Sequence, residues 1–129
     1  MKKIFNLVRV VLILVILLLS MQITRAQLLN EIFPNPEGDD NNKEFVEILT
    51  TEPMNLSGYI IGDEASNDTL VLVQYRETNY SLIVEEGFNW TTINASIYTV
   101  GASVGNDLGN TKDSVFLYNI KKMLLDAMS

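Results

Sequence analysis

The densest set of oxygen ligands in the chain lies in Glu37-Gly38-Asp39-Asp40-Asn41-Asn42. Hard cations such as calcium take several oxygens, which carboxylates and amide carbonyls supply. Glu37, Asp39, Asp40 and Asn42 are therefore candidate metal ligands, with Glu44 close behind. The order departs from the EF-hand pattern of alternating Asp and Asn closed by Gly and a later Glu. The reading favoured here is a solvated loop whose side chains bond local backbone donors; a calcium-stabilised loop is the alternative. Glu44 and Glu47 form a second acidic pair. Two carboxylates can run glycoside hydrolysis, but residues three apart on a strand face opposite sides, which argues against that chemistry.

Five Asn-x-Ser/Thr triplets occur, at Asn55, Asn67, Asn79, Asn89 and Asn94. They are candidate glycosylation acceptors in an exported chain. Trp90 and Phe88 stand in a polar stretch, where an exposed aromatic pair would be a binding spot. The favoured reading has them packing back onto the end of the domain. There is no Cys and no His. That removes thiol nucleophiles, thiolate metal sites, lipid-modified cysteine anchors, Ser-His-Asp triads and imidazole ligands. No enzyme chemistry is expected of what remains.

The chain has 129 residues and a net charge of −7, a length that allows one domain. Its first 26 residues differ from the rest. Lys2 and Lys3 precede an unbroken apolar run from Val10 to Leu19, and Thr24-Arg25-Ala26 places small residues where a signal peptidase reads. This is the three-part plan of a secretory signal. The plan predicts cleavage after Ala26, with a retained membrane anchor over residues 4–23 as the alternative; Asn6 and Arg9 interrupt that longer stretch. Either way the positive end stays inside and the rest of the chain faces outward, secreted or membrane-anchored. Residues 27–129 keep 5 basic and 16 acidic residues, a net charge of −11. Such a surface repels phosphate backbones, so no direct nucleic-acid partner is expected.

After residue 26 short apolar or alternating runs recur between Asn, Asp, Gly and Pro, which is the pattern of strands and turns. The expected strands are Leu28–Phe33, Glu44–Leu49, Gly58–Gly62, Leu70–Tyr75, Tyr80–Val84, Ile97–Val100, Val115–Tyr118 and Lys122–Ala127. Leu70–Tyr75, nearly all apolar, reads as a strand buried on both faces. Helical readings fail because the runs are short, β-branched and punctuated by Gly and Pro.

Several stretches fall in an order that resembles the lamin tail domain family. They are Asn30-Glu31-Ile32-Phe33-Pro34-Asn35-Pro36, then Glu44-Phe45-Val46-Glu47-Ile48, Leu56-Ser57-Gly58-Tyr59, Leu108-Gly109-Asn110 and Asp113-Ser114-Val115-Phe116-Leu117-Tyr118. The resemblance spans roughly residues 28–129 and implies an all-β, immunoglobulin-like β-sandwich of seven or eight short strands, here preceded by an N-terminal hydrophobic signal or anchor helix. It implies fold-defining roles for Glu31, Pro34, Glu44, Glu47, Leu56, Gly58, Tyr59, Gly109, Asn110 and Asp113, and no catalytic residue. In physical terms, Gly58 suits a positive φ, Leu56 and Tyr59 suit core anchors, Gly109-Asn110 suits a tight turn, and Asp113 suits a loop cap. One departure is the last hairpin. Family members usually turn there on Asp-Gly or Asn-Gly, whereas this chain has Asn119-Ile120-Lys121-Lys122. A longer or distorted turn is therefore expected.

The functional expectation is a non-catalytic binding or scaffolding module at the cell surface, contacting an unidentified protein or surface polymer through loops or an exposed strand edge. The alternatives are an accessory domain or fragment of a larger secreted enzyme such as a nuclease, and a calcium-stabilised surface module.

Overall fold

A computed structural model describes residues 13, 26–34, 43–105, 108 and 114–129. The signal or anchor segment, apart from residues 13 and 26, the acidic loop 37–42, and Gly109, Asn110 and Asp113 lie outside the described residues. Among the described residues, no helix is long and apolar enough to cross a membrane.

The described fold is all-β. Nine strands run in the order β1 (Gln27–Phe33), β2 (Phe45–Thr50), β3 (Ile60–Gly62), β4 (Asn67–Thr69), β5 (Val71–Gln74), β6 (Tyr80–Val84), β7 (Ser96–Thr99), β8 (Val115–Tyr118) and β9 (Leu124–Met128). They form a five-stranded sheet, β1-β2-β6-β7-β5, and a four-stranded sheet, β4-β3-β8-β9. The two sheets share one core. Leu29, Val46, Ile48, Ile83 and Tyr98 from the larger sheet meet Ile61, Val115 and Leu117 from the smaller. This is the layering of a β-sandwich, in which alternating residues of each inner face interdigitate. The burial of β2 follows that alternation without a break, with Val46, Ile48 and Thr50 buried and Phe45, Glu47 and Leu49 half-buried.

Every paired neighbour is antiparallel except β6 and β7, which run parallel in register Ser81↔Ser96 to Val84↔Thr99. A parallel pair needs a crossover, and residues 85–95 supply it without a helix. Their side chains cover the outer face of the larger sheet. Phe88, Trp90 and Ile93 pack there with Phe45 on Leu82, Val84, Ala95 and Ile97. Stacked Phe33 and Phe45, with ring centroids 5.2 Å apart, continue this layer. Trp90 and Phe88 are therefore packing residues, as expected. They lie on the outer face of the sheet, however, and not at the sandwich end, because the crossover carries them over β6 and β7.

Two expectations about the strands change. Leu70–Tyr75 is not buried on both faces. β5 is the edge of its sheet, with Leu72 turned toward the core and Val71 exposed by 58% and Val73 by 45%. A continuous apolar run cannot be distinguished in sequence from an alternating strand whose outward residues are also apolar. Second, β4 was not anticipated. Asn67-Asp68-Thr69 has low strand propensity and pairs only because the turn after β3 folds it back, in register Ile60↔Thr69 and Gly62↔Asn67. Asp63 holds that turn, its Oδ1 accepting the amides of Ala65 and Ser66 at 2.7 Å each.

Candidate functional site

Those of the expected site residues that are described distribute over the sandwich and do not converge on one cleft. Glu44 is 2% exposed and Glu47 half-buried on the opposite face of β2, so the two carboxylates do not meet, as the strand period requires. The antiparallel register brings together other acids that spacing along the chain does not reveal. Glu31 stands opposite Glu47 across β1 and β2, and Asn30 Nδ2 donates to Glu47 Oε1 at 2.6 Å. Extending the β2–β6 register by one residue sets Glu44 against Glu85, which is 5% exposed. Among the described residues no group of three or more acidic side chains is placed to hold a metal ion.

The Leu56-Ser57-Gly58-Tyr59 segment behaves as its residues predict, with one amendment. Leu56 is fully buried and Gly58 has φ +80°, a conformation that favours glycine. Tyr59 is only half-buried, packed against the rim of the core. The fully buried aromatic is Tyr98, which sequence reading did not single out. Its hydroxyl accepts the Leu56 amide at 2.8 Å and donates to Asn55 Oδ1 at 3.4 Å. One phenol thus ties the loop after β2 to β7 of the larger sheet. A Tyr on a short apolar run is the only sequence signal available, since a buried hydroxyl requires a partner.

Burial raises the Tyr98 phenol above the ordinary tyrosine range. The Leu56 amide partly offsets that, and nearby Tyr75 adds to it. The folded chain then holds the Tyr98 proton to higher pH than the unfolded chain does. The phenol's contribution is complete below about pH 10 and is lost as pH rises beyond it. Tyr98→Phe is expected to lower stability at neutral pH by about 1–3 kcal/mol, because the Leu56 amide loses its buried acceptor. The same variant should flatten the fall of stability above about pH 10. Urea unfolding followed by the fluorescence of Trp90, the single Trp, measures both; an unchanged midpoint at neutral pH would refute the anchoring role.

Of the five glycosylation candidates, Asn55, Asn67, Asn89 and Asn94 are exposed and Asn79 is half-buried. In two of them the hydroxyl of the triplet already bonds the asparagine. Ser57 Oγ donates to Asn55 Oδ1 at 2.6 Å and Thr91 Oγ1 to Asn89 Oδ1 at 3.1 Å.

What the described surface offers most plainly is an apolar edge. Val71, Val73 and Tyr75 are exposed at 58%, 45% and 48% in and just beyond β5. A register shift between Leu72 and Gln74 places a bulge at Val73. Bulges at sheet edges re-aim side chains and discourage uninterrupted strand addition. Contact here therefore runs through these three side chains more than through a long backbone ladder. No acid occurs from Thr69 to Arg76, in a chain of strongly negative charge.

Comparison with known protein families, curated proteins and solved structures finds no match to this chain.

Proposed function

We propose that this chain is a non-catalytic, extracytoplasmic module of the lamin tail type, an immunoglobulin-like sandwich that binds or scaffolds at the cell surface. The observation that carries the reading is the exposed row Val71, Val73 and Tyr75 on an edge strand. Large apolar side chains aligned at a sheet edge mark interaction surfaces. The acid-free stretch around them lets a partner approach without meeting the charge carried elsewhere. The signal-like N-terminus and the sequons support an outward-facing location.

The test inserts charge where contact is proposed. Val71→Lys/Val73→Lys should leave thermal stability nearly unchanged, since exposed substitutions shift it by about 0.5 kcal/mol. The double variant should lose crosslinks formed in its own cells by a photoreactive group at position 75. Equal crosslinking by wild type and variant would overturn the reading.

A further inference from the structure

We infer that the β8–β9 hairpin and the hollow beside it form a docking site for an anionic lipid surface. The hairpin tip brings two features together. Ile120, Met123 and Leu124 are exposed at 65%, 55% and 56%. Between them stand Lys121 and Lys122, two of the five basic residues of that span. Bare apolar side chains interleaved with cations, on an otherwise acidic chain, match a surface that is anionic outside and apolar beneath.

The tip is held in shape. Asn119 accepts the amides of Lys121 and Met123 on its Oδ1, at 2.9 and 3.0 Å. Its carbonyl accepts the Lys122 amide at 2.9 Å, and its own amide donates to the Met123 carbonyl at 3.0 Å. This is a longer turn, as expected of a segment with no Gly. It leaves Lys122 at φ +61°, the only non-glycine residue at positive φ among the described residues. Glycine would satisfy that position with no steric cost, yet the chain places a cation there. Such an outlier points to function.

Beside the tip lies a hollow of about 250 Å³ lined by Ile60, Asn67, Tyr118 and Lys122. Register explains its floor. Ile60 pairs with Tyr118, and Tyr118 with Leu124, so all three share the outer face of the smaller sheet. An ammonium, an amide and a phenol over an apolar floor suit an anionic headgroup, while the exposed Ile120, Met123 and Leu124 of the tip enter the acyl layer. A soluble polyanion would use the lysines and leave those three side chains in water. A lipid surface accounts for both sets.

The chain has no Cys, so Met123→Cys accepts a single environment-sensitive NBD label. Val71→Cys provides the control on β5. An apolar run such as Val10–Leu19 is able to enter a bilayer whatever the hairpin does, so the readout is local to the label and not total binding. The full-length chain is mixed with phosphatidylcholine vesicles with or without phosphatidylglycerol, and separately with dextran sulfate. A several-fold, blue-shifted rise of the label at 123 in the anionic vesicles only, with none at 71, is expected. Lys121→Ala/Lys122→Gly, which eases the turn while removing both charges, should weaken local docking roughly 30-fold and abolish that rise. No rise at 123, or equal rises at 123 and 71, would overturn the inference. A response to dextran sulfate without one to vesicles would overturn it too, in favour of a polymer partner. The β5 contact is unaffected by any of these outcomes.

Discussion

Ile83→Ala is expected to lower stability by about 2–5 kcal/mol and the melting temperature by about 10–30 °C for a domain of this size. Ile83 is fully buried, on the strand that lies third of five in the larger sheet, and belongs to the cluster that joins both sheets. Truncation removes three carbons from that cluster, and the rigid alternation on each side prevents collapse into the space, so a cavity cost adds to the lost transfer energy. A domain of about 100 residues without disulfides has only about 5–15 kcal/mol in total, so the variant approaches the unfolding threshold at growth temperature. Val71→Ala, exposed on the edge strand, removes two carbons and should cost about 0.5 kcal/mol or less. Circular dichroism melts of the two variants measure the contrast. Similar midpoints for both would mean that the inner face of β6 is not the core described here.

Gly62→Val is expected to be of the same order, about 3 kcal/mol, for the opposite reason. Gly62 is buried in β3, between Asn67 of β4 and Phe116 of β8. A Cβ there would collide with the Ser66 carbonyl oxygen and with Asn67 Oδ1. The Ser66 carbonyl cannot retreat without loss, since it accepts the Asp63 amide at 3.0 Å. The turn and its register would have to shift together. Gly62→Ala should cost less, about 1–3 kcal/mol, and Gly58→Ala less again in contact terms, because its nearest obstacle is the Ile120 Cγ2 methyl at an ordinary contact distance of 3.5 Å. Stability of Gly62→Val within about 0.5 kcal/mol of wild type, by the same melts, would rule out the close approach.

The strands that were legible are those whose own residues carry the signal. Tyr80–Val84 and Val115–Tyr118 begin and end where their apolar runs do. Gly58 was legible because only its backbone need, a positive φ, had to be read. β4 was not legible, since Asn67-Asp68-Thr69 has no apolar signal and forms through a turn held by Asp63. Tyr98 was missed for a related reason. Its role depends on a bond to Leu56, 42 residues away, and no local pattern reports a partner at that distance.

The candidate surfaces divide in the same way. Their ingredients are local. The acid-free run at β5, the two lysines with their apolar neighbours at the last hairpin, and the absence of Cys and His are all present in the chain as written. Alternation and turn residues alone were enough to determine an all-β chain of short strands, because period and punctuation act over a few residues. Only the tertiary structure decided that β5 is an edge, that β6 and β7 run parallel beneath Trp90, and that Lys122 lies beside Tyr118, Ile60 and Asn67. Strand order is a contest among non-local pairings of similar local propensity. It is settled by which arrangement buries Ile61, Ile83, Tyr98 and Leu117 together, a quantity carried by no single stretch of sequence.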